Sequence, residues 1–495
     1  MSQHSPVIIG VAQFNPRNAG IALAPEPLEM MAQVARSAAE DSGAPGVLDA
    51  LDAIAVVNIM SFHYRNAPNA LAARLKIQAR EQLYTTISGS SPLYAMNYLA
   101  GEISAGRMRA AMIAGAEAFH TLRRAMKQGG VKWGAASGDG EPTIIGDPRH
   151  GSHPIEERYG MRLPTVVYPL FENARRARHG WSIAEHREKL GKLCAGMTRV
   201  AAKNPYAWFP EEHTAEQITT VSGDNRIICF PYPKLMNAII DVDLAAAIIL
   251  TSEEEARRLK VPSDKIVYLA ASADATEDPF FVYERESFHS SPALERTAKR
   301  SLELAEIAVS EVSYFDFYSC FPSAVGLALD ALALDQDDPR GVTVTGGLPY
   351  AGGPASNYCG HSTAAMVERL RANPGKIGMV TGLGWYFTKH AALILSSAPP
   401  RKPFASEHDR KPARQVLPVR VTEQAAGAGT IETYSVVHGR DGEPSEGIVI
   451  GRLDDGSRFL AKTPREILAP MEQEEFVGRR GKVRTAEGFN LFEPR

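Results

Sequence analysis

The sequence predicts an α/β protein in two related halves, with a loop-rich insertion in the first half and a separate β domain at the end. Three observations lead there. Apolar strand-like runs alternate with helical patterns from the N-terminus, the same order returns after Lys265, and after Pro399-Pro400 the pattern changes to short strands between turn signals.

Val7 to Ala12 is an apolar run of strand length, and behind Pro27 the residues Met30, Met31, Val34, Ala38 and Ala39 recur at helical spacing. Strands follow at Leu51 to Ile59 and Leu83 to Ile87, then a helix from Pro92 to Ala105 and a strand Ala110 to Ala114 closing on Gly115. Such alternation builds a mainly parallel sheet covered on both faces. The second half repeats it, with a strand Ile266 to Ala270, a helix around Ser301 to Val309, a strand Val312 to Tyr318, a helix Pro322 to Leu334 and a strand Val342 to Thr345. Residue identity between the halves is slight, so the repeat rests on element order.

Between the halves, residues 120–229 break the rhythm, with a capping box at Ser182-x-x-Glu185 ahead of an amphipathic segment. Arg175, Arg176, Arg178, Arg187, Lys189 and Lys192 concentrate positive charge there. Such a cluster either binds the phosphates of an acyl carrier such as coenzyme A or forms a solvated helix face. The charged stretch Arg401 to Arg414 reads as a linker. The strands Thr430 to Val437, Gly447 to Leu453 and Arg458 to Lys462 beyond it, separated by Gly439-Arg-Asp-Gly442 and Asp454-Asp-Gly456, suggest a small β-barrel. The expected domains are therefore 1–268, 269–400 and 412–495.

At 495 residues with 44% hydrophobic and 22% charged content, the chain can bury at least two sizeable cores. A formal net charge of −3 argues against a nucleic-acid partner. Cys194, Cys229, Cys320 and Cys359 are widely spaced without a Cys-x-x-Cys pair, so neither a disulfide framework nor a metal site is expected. Met1-Ser2-Gln3-His4 opens no basic-then-apolar leader and no apolar run is long enough to span a bilayer, so a cytoplasmic location without membrane partners is expected.

Four motifs carry the chemistry. Ser88-Gly-Ser-Ser-Pro92, then a helix, then Ala105-Gly106 and Met112-Ile-Ala-Gly115-Ala-Glu117, resembles the thiolase stretch that bears the reactive cysteine at a strand-to-helix turn. Counted back from Gly106 without gaps, Gly89 takes the cysteine's place; one inserted residue would put Ser88 there. The segment Gly346-Gly-Leu-Pro-Tyr350-Ala-Gly352-Gly353-Pro354 keeps the spacing of the thiolase Gly-His-Pro motif with Gly353 for histidine. Tyr318-Ser-Cys320-Phe321 carries Tyr318 where sterol-carrier-type thiolases have histidine, and Thr381-Gly-Leu-Gly384 lacks the cysteine of Cys-x-Gly. With Asn357-Tyr358, His361 and the C-terminal Gly429-Thr-Ile-Glu-Thr-Tyr434 and Gly447-Ile-Val-Ile-Gly451, these changes resemble the bacterial thiolase-like protein type 1.

The resemblance implies a thiolase-like duplicated α/β/α/β/α core with a loop-domain insertion and an extra C-terminal OB-like β-barrel. It also implies an acyltransferase-family protein acting on acyl-CoA in lipid or sterol metabolism, as a monomer or homodimer, with coenzyme A as ligand and no permanently bound cofactor. A serine cannot simply replace a thiolate nucleophile. Ser88 and Ser90 are candidates for that role, but both also fit N-caps. Tyr318 is expected to face the reacting carbon, as proton carrier or hydrogen-bond donor, with His361 neutral in the first turn of a helix. Backbone N–H groups near Gly89 and Gly384 suit an oxyanion hole. Tyr350, Asn357, Tyr358 and Cys359 are candidate pocket residues, Arg175, Arg176 and Arg178 candidate phosphate ligands, and Cys320 and His390 are expected to be structural. Three functions remain open: an acyl-CoA enzyme, a retro-aldol lyase with its β-barrel fused, and a binding module without turnover.

Overall fold

The computed structural model describes residues 4–17, 20, 23–127, 129–131, 133–134, 137–409 and 418–495. Residues 1–3, and residues 410–417 of the expected linker and barrel start, lie outside the described residues.

The first half runs β1 (Pro6–Phe14), α1 (Pro27–Asp41), β2 (Ala53–Val56), α2 (Ala67–Leu75), β3 (Glu81–Thr85), α3 (Ser91–Ser104) and β4 (Ala110–Ala118). Helix α1 starts on Pro27, whose fixed φ suits a first turn, and buries Met30, Met31, Val34, Ala38 and Ala39. Strands β1 and β4 are buried at every residue, as strands covered on both faces must be.

The insertion contributes α4 (Phe119–Met126), β5 (Thr143–Ile145), α5 (Pro154–Arg158), α6 (Pro164–His179), α7 (Ile183–Ala201), α8 (Ala215–Thr219), β6 (Ile227–Phe230) and β7 (Tyr232–Pro233). At α7 the expected box forms: Glu185 N–H donates to Ser182 Oγ at 3.2 Å, and Ser182 N–H donates to the Glu185 carboxylate at 2.8 Å. The chain then re-enters the sheet as β8 (Asp243–Ser252). That strand is unmarked by periodicity, because a run buried on both faces reads the same as a buried helix.

After α9 (Glu253–Arg258), the second half runs β9 (Val267–Thr276), α10 (Pro292–Ala305), β10 (Tyr314–Asp316), α11 (Pro322–Ala331), α12 (Tyr358–Arg371), β11 (Ile377–Gly384) and β12 (Lys389–Ser396). The helix expected at Ser301 to Val309 instead begins at Pro292, where Ser291 Oγ caps it by accepting from Leu294 N–H. The boundary drawn at 268/269 falls inside β9.

One sheet joins the halves in the order β10-β11-β12-β9-β1-β8-β4-β2-β3-β5. Read outward from the centre, the halves are β1-β8-β4-β2 and β9-β12-β11-β10, each with two antiparallel pairings followed by a parallel one. The duplication inferred from element order is thus present in topology and direction. The sheet is mixed, not mainly parallel. Residues 342–345, expected as a strand, form none, because their polar groups turn inward onto Asp316. Helices α3 and α12 pack on each other, and each touches strands of both halves.

Part of the expected linker is β13 (Ala405–Asp409), parallel to β9. Beyond it lie β14 (Gly427–His438), β15 (Pro444–Leu453), β16 (Arg458–Lys462), α13 (Leu468–Gln473), β17 (Arg480–Ala486) and β18 (Phe489–Pro494). Their order β15-β16-β18-β17-β14, closed by the β14–β15 pairing, makes a five-stranded OB-like barrel around Ile431, Tyr434, Phe459 and Phe492. This domain is not detached, since β6 of the insertion pairs with β14 at Cys229↔Val437 and Phe230↔Val436. Among the described residues no helix is long and apolar enough to cross a membrane.

Candidate functional site

The turn between β3 and α3 places Ser88, Gly89 and Ser90 against the end of β11. Ser90 is the residue preceding α3, yet its side chain accepts no helical N–H, so it is not the cap that the sequence suggested. Its hydroxyl instead shares a 2.8 Å hydrogen bond with Ser88 Oγ, which also accepts from Ser90 N–H at 3.3 Å. Gly89 has no room for a side chain: a Cβ there would overlap the Tyr318 hydroxyl and the Leu383 carbonyl oxygen. The phenol therefore fills the space into which a cysteine at this position would project.

Tyr318 is held by its N–H donating to Thr381 Oγ1 at 3.0 Å and by an edge-on contact with Tyr358, ring centres 5.6 Å apart. Burial first, then the neighbouring Cys320, Cys359 and Tyr358, hold its ionisation well above the ordinary tyrosine value. A phenol in this setting stays protonated, which suits a hydrogen-bond donor better than a base.

Gly384 faces the same turn, since a Cβ on it would overlap Ser88 Oγ. Gly353 instead donates its N–H to Ile239 O, in the segment leading into β8, at 3.0 Å. Gly346 and Gly347 need φ of 104° and 81°, which other residues rarely adopt, and their loop turns away toward Ser319 and Met197.

The sequence missed the group that organises this loop. Asp316, at the end of β10, accepts from Thr343 Oγ1 at 2.8 Å, Val344 N–H at 2.9 Å and Tyr358 Oη at 3.0 Å, and burial raises its carboxyl above the ordinary value. The available signal was an acid closing an apolar strand with Thr-x-Thr downstream. Tyr358 is consequently a buried network member, not a pocket wall. Asn357 is likewise structural: its Nδ2 donates to Gly115 O at 2.8 Å, and a Cβ on Gly115 would overlap its amide. Cys359 is wholly buried with its thiol driven well upward by burial, and burial pushes the Cys320 thiol up to about 12.

His361 Nδ1 donates to Gln13 Oε1 at 3.0 Å, and burial pulls the imidazole down to about 3. It is neutral because it is desolvated; the sequence attributed this to the helix end. His390 is similarly held at about 3, chiefly by burial. Tyr350 lines a cleft of about 760 Å³ with Pro349, Ile239, Leu235 and Phe209. Phe209 also borders a cavity of about 640 Å³ lined by Arg17, His120, Arg123, Arg124 and Trp208.

Two of the three arginines expected to meet phosphates are engaged internally. Arg175 is paired with Asp330 through Nε at 2.7 Å, and Arg176 is fully buried, bonded to both oxygens of Glu475 at 3.0 Å and to Tyr434 Oη at 2.9 Å. Only Arg178 is exposed. Among the described residues no group of three or more His, Cys, Asp or Glu is placed to hold a metal ion.

A core with thiolase loops and without the thiolase cysteines and histidines defines a thiolase-like protein that lacks the thiolase nucleophile. The family model for the additional C-terminal domain of thiolase-like protein type 1 matches residues 409–488. The whole chain is similar to the solved monomeric SCP2-thiolase like protein type 1 from Mycobacterium smegmatis, with 34% identity over 100% of both chains and a TM-score of 0.83. The chain belongs to the SCP2-thiolase-like protein type 1 family. A structure described as Ltp2-ChsH2(DUF35) aldolase shares the fold at 15% identity, over 80% of this chain and 98% of that one, with a TM-score of 0.57. No curated protein matches the chain.

Proposed function

We propose that the protein binds an acyl-CoA thioester in the cleft beside Tyr350 and Ile239 and acts on it without forming an acyl-enzyme. The observation that carries this reading is the Tyr318 hydroxyl standing in the space that a cysteine side chain on residue 89 would need. Tyr318 is not part of the cleft wall, so the thioester has to extend past Tyr350 to reach it. A protonated phenol there would then donate a hydrogen bond to the substrate oxygen and stabilise charge developing on it, as in an enolate. Carbon–carbon bond making or breaking through an enolate needs no nucleophile, and retro-aldol cleavage belongs to that class. The phosphates of coenzyme A are assigned to the neighbouring cavity of Arg17, Arg123 and Arg124, in place of Arg175 and Arg176.

Binding without turnover is a second reading. It is favoured by one observation: burial has moved the Cys320 thiol up to about 12 and His361 down to about 3, leaving neither ready to exchange a proton near neutral pH. Calorimetry with coenzyme A and dephospho-coenzyme A, with intact-mass spectra after incubation with acetyl-CoA, tests the proposal. We expect binding and no acetyl group on residues 84–92. An adduct on Ser88 or Ser90 would overturn the non-covalent mechanism, and no binding at millimolar coenzyme A would remove the acyl-CoA assignment. Release of a carbonyl product from 3-hydroxyacyl-CoA separates the lyase from the binding module.

A further inference from the structure

A third cavity, of about 230 Å³, lies between the end of β9 and the start of α10, lined by Thr276, Glu277, Ser287, Ser290, Ala293 and Arg296 together with Arg285. It shares no lining residue with the cleft beside Tyr350. Arg285 is 3% exposed, and its Nη2 donates to Phe280 O at 3.1 Å and Tyr386 O at 2.7 Å. Its Nε and Nη1 are buried and meet no acceptor among the described residues. A guanidinium carries five N–H donors and always keeps its charge, so a buried one with unmet donors and no ion-pair partner is costly unless something supplies the missing acceptor.

The nearby carboxylates do not supply it. Glu277 spends an oxygen on Ser291 Oγ at 2.5 Å and on Ala293 N–H at 3.3 Å. Glu156 accepts from the N–H groups of His153 and Tyr283. Asp278 and Glu286 are exposed at the rim, where solvent screens them. Pro292 and Ala293 open the 14-residue helix α10, whose positive end faces the cavity and adds to the field of Arg285 and Arg296.

We propose that this cavity is a binding site for a small oxyanion, a carboxylate or a phosphate, held by the free donors of Arg285. The site lies at the joint between core and barrel, because Arg458 of β16 donates through Nη1 to the carbonyl oxygens of Tyr283 and Arg285. Occupancy therefore braces the segment that the barrel grips, and it stabilises the folded chain by an amount that grows with the logarithm of ligand concentration once the site fills.

Calorimetry and thermal melts of the full chain with inorganic phosphate and, separately, malonate test this, each against sodium chloride of equal ionic strength. We expect one anion bound per chain and a melting temperature that rises with its concentration. Arg285→Gln should weaken binding by at least about tenfold through loss of a charge-assisted contact. Arg285 also holds two carbonyls, whose loss in that variant can itself prevent folding; Ala293→Leu fills the cavity and leaves the guanidinium in place, and it should abolish anion binding while coenzyme A affinity is unchanged. Failure of both anions to bind at roughly 50 mM, well into the weak-affinity range, would overturn the assignment. So would undiminished binding in folded Ala293→Leu.

Discussion

Gly89 and Tyr318 are one feature seen from two residues. A glycine without a partner group would leave a hole, and a tyrosine without the glycine would collide with its side chain. Gly89→Ala should therefore destabilise the protein by about 1 to 3 kcal/mol through overpacking, and Tyr318→Ala in the same chain should recover part of that loss. Urea unfolding of the two single variants and the double variant gives the coupling; additivity would mean that the two positions do not share the space. Tyr318→Phe keeps the ring and removes the donor. Once a substrate is known, turnover should fall by at least about a hundredfold, the range of a lost proton-transfer or hydrogen-bonding group, with coenzyme A affinity retained. A Phe variant as fast as the parent would reduce Tyr318 to packing.

Among the elements, β4 carries a buried carboxyl next to its end. Glu117 accepts from the N–H groups of Met60 and Ser61, both at 2.8 Å, and burial pushes its carboxyl up to about 7 against those bonds. Its folded value lies above its unfolded one, so its contribution to stability is fully present below about pH 4.5 and is lost as pH rises through about 7. The stability difference between wild type and Glu117→Gln should accordingly shift against the wild type between pH 5 and pH 8. Denaturant midpoints of both proteins across that range measure it, and parallel curves would show that Glu117 does not titrate there.

At the scale of the molecule, the barrel is a fused part of the core's architecture. Arg176 of α6 reaches Glu475 and Tyr434 of the barrel domain, Thr433 Oγ1 donates to Leu170 O at 2.5 Å, and β6 extends the β14 edge. Glu475 is exposed, so removing the arginine leaves it solvated, but the buried Tyr434 hydroxyl and Asn173 amide lose their donor, at a cost of about 1 to 3 kcal/mol. Arg176→Met should lower the melting temperature and separate unfolding of barrel and core into two calorimetric transitions, with coenzyme A affinity unchanged. A loss of coenzyme A binding in a folded variant would return Arg176 to the ligand site.

The sequence alone determined the duplicated α/β core, the insertion, the barrel and the absence of the thiolase nucleophile, because periodicity, glycine spacing and residue identity are local properties. It located Tyr318 and Gly89 but not their contact, since 229 positions of chain separate them and only the packing of β10 and β11 beside the α3 turn brings them together. Burial was equally invisible. Arg175 and Arg176 read as a basic patch until α6 was seen pressed between core and barrel, and Asn357, Tyr358 and Cys359 read as pocket residues until α12 was seen in the centre of the fold. Arg285, with no motif around it, acquires meaning only where strand end, helix start and barrel meet, because desolvation and unmet donors exist only in the folded chain.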